Sequence, residues 1–188
     1  MNGDNVRANS DTLNILNQQL SNISAENQYV AFQVGEETYG INIMLVQEII
    51  RYHEPTRVYN ANPYIKGLIN FRGQVIPIID MHKKFNLGEK EHDKFTVVIV
   101  FEAGGKTMGI IVDSVSDIIS FEEEDIQVVD REFAEDIKTE HLQGIAKEDD
   151  QIVLLLDPER VISFEELDKM EEMHEIADDV QDMGSDNN

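Results

Sequence analysis

A mostly β chain built from two related small barrels is the fold that the sequence predicts, on three observations. Short apolar runs, alternating or continuous, recur from Tyr29 onward at 29–34, 38–43, 45–51, 75–80, 96–102, 107–113, 115–120 and 152–156, with glycines between them. Strands this short at this density suit a barrel or a sandwich rather than parallel units with long crossover helices. The chain also repeats itself. YVAFQVGEETYGINIMLVQEII (29–50) lies over VIVFEAGGKTMGIIVDSVSDII (98–119) at a shift of 69, and GLINFRGQVIPIID (67–80) over GIAKEDDQIVLLLD (144–157) at a shift of 77. The third observation is length, since 188 residues bury one sizeable core or two small ones.

The expected organisation runs from a flexible extension over 1–27, through interlocked barrel subdomains over 28–163, to an acidic helix and tail over 164–188. Copies of about 29–80 and 98–157 meet through a segment near 81–95. In the extension, Leu13, Leu16, Leu20 and Ile23 fall at helical spacing after Ser10 and Asp11, which fits one short amphipathic helix. A helix this short is marginal without a surface to pack on, so a mobile tail is the expectation.

Within the repeat, Phe32 matches Phe101, Gly40 matches Gly109, Glu48 matches Asp117 and Gly67 matches Gly144. Positions alike in both copies read as turn and core residues that serve a common fold. The extra eight residues of the second copy fall in its middle.

The stretch 67–80 concentrates the demands of the fold. Val75, Ile76, Ile78 and Ile79 read as a strand covered on both faces, and Pro77 requires an edge or a bulge, because it lacks a backbone donor. Gly67 and Gly73 bracket Asn70, Phe71 and Arg72 in a tight turn that displays side chains. The second copy has Lys147-Glu148-Asp149-Asp150 at that place, so the fold does not force the arginine, and Arg72 becomes the candidate recognition residue.

After Asp80, Lys83 and Lys84 end a short helical turn in the connector. Glu122 to Asp125 lacks the alternating ligands and glycine of a calcium loop, and the five histidines have no metal-ligand or catalytic spacing. No phosphate loop, G-x-S-x-G or HExxH motif is present, so no catalytic residue, metal site or cofactor is expected. Phe164, Leu167, Met170, Met173, Ile176 and Val180 predict an amphipathic helix that begins near Ser163, with Glu165 and Glu166 at its positive end.

The chain has no cysteine, which fits a reducing cytoplasm, and no apolar run reaches the roughly 18 residues that cross a bilayer. Residues 91–163 carry six basic and nineteen acidic groups and residues 164–188 carry one and ten, whereas residues 28–90 are nearly neutral. A net charge of −23 repels nucleic acid and anionic membrane, which leaves proteins as the expected partners.

With both copies laid out, the chain resembles the CheW family of bacterial chemotaxis coupling proteins. The motifs are YGINIMLVQEI, IKGLINFRGQVIPIIDM, VVIVF, GIIVDSVSDII and the GIAK to LLLD segment, spread over residues 28 to about 170. The resemblance implies two five-stranded SH3-like β-barrels and a non-enzymatic adaptor without cofactor. Its implied partners are the cytoplasmic tip of methyl-accepting chemoreceptors and the regulatory domain of the histidine kinase CheA. The membrane is reached only indirectly, through receptor arrays. Arg72, Asn70 and Gly73 match the family's N-x-RG turn, Val46 and Glu48 its VQEI segment, and Val97 and Val98 its VVIV strand, all implied to bind partners. Met81-His82 stands where the family has Leu-Arg. Two other readings remain open: an adaptor of a non-flagellar array such as one controlling pili, and a ligand-binding or hydrolytic barrel that uses the cleft between subdomains.

Overall fold

Alternating apolar residues pair into eleven strands in a computed structural model, which describes residues 10–21, 27–129, 140–163, 165–169 and 172. In the first copy these are β1 (Gln28–Val34), β2 (Glu37–Asn42), β3 (Val46–Arg51), β4 (Ile65–Phe71) and β5 (Gln74–Asp80). The second holds β6 (Val97–Ala103), β7 (Lys106–Val112), β8 (Ser114–Ser120), β9 (Ile126–Val128), β10 (Leu142–Glu148) and β11 (Gln151–Leu156). Helix α1 (Ser10–Ser21) precedes the strands, and the one-turn α2 (Met81–Lys84) follows β5.

The fold is mostly β, with two sheets, and neither sheet belongs to one copy. One has the order β8-β1-β2-β11-β10-β9 and the other β3-β6-β7-β5-β4. Each takes two strands from one copy and the remainder from the other, by the same rule. The exchange is sealed by equivalent parallel ladders, Ile78 opposite Gly109 and Leu155 opposite Gly40. A Cβ on Gly109 would come within 2.7 Å of Ile78 Cδ1, and one on Gly40 within 3.1 Å of Leu155 Cδ2, so both glycines provide room for the crossing. The connector after residue 80 joins β5 to β6 and stays within one sheet.

Burial follows the strand period of two. In the five-stranded sheet, Ile69, Phe71, Ile76, Ile78, Val98, Val100 and Ile111 make one small core. The neighbours Val97, Ile99, Phe101, Ile79 and Ile110 face a larger core shared with Val30, Phe32 and Ile41 of the other sheet. Tyr29, Phe121, Ala146, Val153 and Leu155 repeat the small core there. β5 is therefore covered on both faces around Ile78 and Ile79, as its apolar run requires, but Val75 near its start is exposed. Pro77 sits before the β7 ladder, which spans only Ile78–Asp80, so at the proline the strand has one neighbour and no ladder donor is lost.

Gly67 has φ +156°, and a Cβ there would fall 2.2 Å from the Thr56 carbonyl oxygen. Thr56 bridges Leu68 through reciprocal backbone hydrogen bonds of 2.9 and 2.8 Å. The equivalent of this single bridge in the second copy is the whole of β9, whose Gln127 lies opposite Ile145. Thr56 and Leu68 are 12 residues apart and Gln127 and Ile145 are 18 apart, so most of the added length of the second copy falls between β9 and β10.

Both ends differ from a plain tail. Over Ser10–Ser21 the expected mobile extension is a helix whose Leu13 and Leu16 are buried in the shared core. Ser163 starts the C-terminal helix with a reciprocal cap: its hydroxyl accepts from the Glu166 N–H at 3.2 Å, and its own N–H donates to Glu166 Oε2 at 3.2 Å. Leu167 enters the shared core, while the expected apolar face beyond residue 169 lies outside the described residues.

Candidate functional site

The site is built from a two-residue turn. Phe71 pairs with Gln74, and between them Arg72 (φ 51°) and Gly73 (φ 81°) both take left-handed backbone, the geometry that matches the twist of a hairpin. Glycine adopts it freely, whereas arginine needs support. Asn70 supplies it by accepting the Gly73 N–H on its side-chain oxygen at 3.0 Å. A Cβ on Gly73 would meet nothing within 4 Å, so the turn is open to its surroundings.

Arg72 is then fixed from two sides. One guanidinium nitrogen lies 3.0 Å from Glu48 Oε2 on β3, and the guanidinium carbon sits 4.9 Å from the centre of the Phe71 ring. Phe71 itself is buried in the small core, so the platform beneath the arginine is rigid. The side chain remains 66% exposed, and its other N–H groups make no hydrogen bond among the described residues. Because β3 and β4 are opposite edges of the sheet, the Glu48–Arg72 contact also shows that the sheet curls on itself.

The other expected site residues fall in two groups. Val46 and Glu48 flank a bulge at Gln47, which turns Glu48 toward Arg72 while Val46 is buried. Val97 and Val98 are 1% and 2% exposed, one in the shared core and one in the small core. Both side chains are therefore buried in this chain, beneath the surface on which the expectation placed them. A continuous apolar run is covered on both faces, and their effect on any surface is through packing.

At the equivalent tip of the second copy the charges are alike. Asp117 replaces Glu48, Asp149 replaces Arg72 with the same φ of 51°, and Glu148 replaces the buried Phe71. Glu148 is held above the ordinary carboxylate range by desolvation and by the negative charges of Asp149 and Asp117. One sheet therefore carries a pinned cation at its hairpin tip and the other crowded acids.

Sequence reasoning did not see two further features. A cleft of about 550 Å³ lies beside Tyr39, Phe85, Leu87, His141 and Leu154, with Tyr39 stacked on Phe85 at 5.1 Å. Burial pushes the His141 imidazole below its ordinary value, although its Nδ1 meets the Arg160 carbonyl at 2.9 Å, which works the other way. His82, at the departure from the family's Leu-Arg, lies 2.8 Å from Asp113, which also accepts the Gly35 N–H at 2.8 Å and pairs with Lys90 at 3.1 Å. Among the described residues no three ligating side chains could hold a metal ion, and no helix is long and apolar enough to cross a membrane.

Comparison with known proteins fits this architecture. Residues 28–166 match the family model described as a CheW-like domain. The chain belongs to the CheW-like family. It is 41% identical over 140 residues to the chemotaxis protein CheW of Klebsiella aerogenes, covering 74% of this chain and 84% of that one. The CheW of Treponema pallidum is 32% identical over 147 residues, with 76% and 86% covered. The crystal structure of the scaffolding protein TtCheW from Thermoanaerobacter tengcongensis superposes with a TM-score of 0.67 at 31% identity, covering 74% of this chain and 94% of the other. The CheW-like match begins at Gln28, so α1 lies outside it.

Proposed function

We propose that this protein is a non-catalytic scaffold of bacterial chemotaxis, which couples the cytoplasmic tip of chemoreceptors to the regulatory domain of the histidine kinase CheA. The Arg72 tip carries the reading. An arginine anchored by Glu48 and stacked on a buried phenylalanine, with donors left unspent at the surface, suits planar recognition of carbonyls or a carboxylate on a partner. Asn70 and Gly73 hold that turn, Val46 and Glu48 shape the adjoining strand, and Val97 and Val98 support it from beneath. The names of the relatives, chemotaxis protein and scaffolding protein, support the same reading. The protein acts in the cytoplasm and reaches the membrane only through receptor arrays.

The test is affinity capture from combined cytoplasmic and membrane extract, using wild type and Arg72→Glu side by side. Recovery of a histidine kinase and a chemoreceptor by wild type, with loss of either by the variant, is the expected result. Recovery of neither by wild type defeats the proposal.

A further inference from the structure

Among the described residues, strand β3 is the outermost strand of its sheet, with β6 as its one neighbour. Such an edge leaves backbone groups unpaired and ready to accept another element. Here α1 covers it. The Asn17 side chain donates its Nδ2–H to the Ile49 carbonyl at 3.0 Å and accepts the Ile49 N–H on Oδ1 at 3.0 Å, so one amide does what a neighbouring strand residue would do. Leu13 and Leu16 bury beside it in the shared core, and Leu20 packs against that core. The four residues share one helical stripe.

The strand so covered is the one that carries Val46 and Glu48, and Glu48 fixes Arg72. Twelve residues are too few to hold a helix in water on propensity alone, so α1 exists as a helix by virtue of this surface. Being joined to β1 only through residues 22–27, it can leave without unpairing any strand.

We infer that β3 and the adjoining shared core form a helix-accepting surface that α1 occupies in cis, and that a partner helix must displace α1 to bind there. The partner chemistry is read from the occupant: an amphipathic helix with leucine-like residues at i, i+3 and i+7 and an amide side chain at i+4. That the partner is a chemoreceptor helix rests on the scaffold proposal above; the helix-accepting surface itself does not.

The experiment uses the full chain carrying Leu16→Glu and Asn17→Ala, which frees the surface, together with wild type. A fluorescein-labelled peptide of residues 10–21 is titrated into each and followed by anisotropy. Binding to the variant and not to wild type is expected, with binding weakened when the peptide itself carries Asn17→Ala. A purified chemoreceptor cytoplasmic fragment is then expected to displace the peptide, and to bind the variant roughly tenfold tighter than wild type, because α1 no longer competes. A variant that keeps the sheet part of its far-ultraviolet spectrum, loses the helical contribution of α1 and still fails to bind the peptide overturns the inference. Receptor binding without peptide displacement overturns the competition and leaves the scaffold proposal standing. A fragment that binds neither protein overturns the scaffold proposal and the competition together, while peptide binding still decides the surface.

Discussion

Replacing Gly67 with alanine tests the account of the fold at its tightest point. The new Cβ would lie 2.2 Å from the Thr56 carbonyl oxygen and 2.8 Å from its carbonyl carbon, where ordinary contacts need about 3.5 Å. Both atoms are backbone, and no rotamer relieves the overlap. Thr56 must retreat by more than about 1 Å, and its hydrogen bonds to Leu68, now 2.9 and 2.8 Å, go with it. Each is worth about 1 kcal/mol, and alanine at φ +156° adds about 1–2 kcal/mol of backbone strain. The loss comes to about 3–4 kcal/mol, a large share of the stability of a domain this size and roughly 10 °C in Tm. The controls are Gly73→Ala, with open space around it and a cost of about 1 kcal/mol, and Gly144→Ala, whose closest contact is 3.1 Å. Urea and thermal unfolding followed by circular dichroism rank the three. A Gly67→Ala protein that melts with Gly73→Ala would refute the argument that Gly67 is needed for close approach.

Other expectations follow from the same geometry. Val98→Ala removes two methyl groups from the small core and should cost about 2 kcal/mol in urea unfolding, yet leave partner affinity unchanged at temperatures well below its melt. Glu166→Gln weakens the acceptor of Tyr64, Asn62 and the Ser163 cap, and should cost about 1–2 kcal/mol in the same assay. Acid titration has a defined sign. Burial works to raise the Asp113 carboxyl, but hydrogen bonds from His82, the Gly35 N–H and Lys90 outweigh it and hold it below the ordinary range. Its stabilising contribution is present above the unfolded value near 4 and lost as pH falls through the folded one, so Asp113→Asn should flatten the fall in stability measured between about pH 4 and 2.

Much of this was legible in the chain because the repeat is written in glycines and in strand periods. Gly40 and Gly109 sit at one crossing seen twice, and Gly67 and Gly144 at one bridge seen twice, so each copy supports the other's reading. Periodicity marks strands but says nothing about which strand becomes a neighbour, and the exchange of β1 and β2 for β6 and β7 between sheets rests on long-range pairing. The turn at Arg72 was legible for the same reason that it stands out: its counterpart Asp149 keeps the backbone and discards the charge. The burial of Val97 and Val98 was legible too, since a continuous apolar run implies cover on both faces. The helical spacing of α1 was legible but a mobile tail was preferred, because the surface that holds the helix, Ile49 above all, lies 32 residues from Asn17 along the chain.

The measurement that bears most directly on the scaffold proposal is assembly of the purified protein with a chemoreceptor cytoplasmic fragment and a CheA regulatory domain, by analytical ultracentrifugation. Wild type and Arg72→Glu are compared, with thermal melts alongside. The Glu48–Arg72 pair is exposed and worth about 0.2–1 kcal/mol, so the variant should melt within a few degrees of wild type. The account predicts a ternary complex for wild type and its loss in the folded variant. A ternary complex that forms equally well with Arg72→Glu would contradict it.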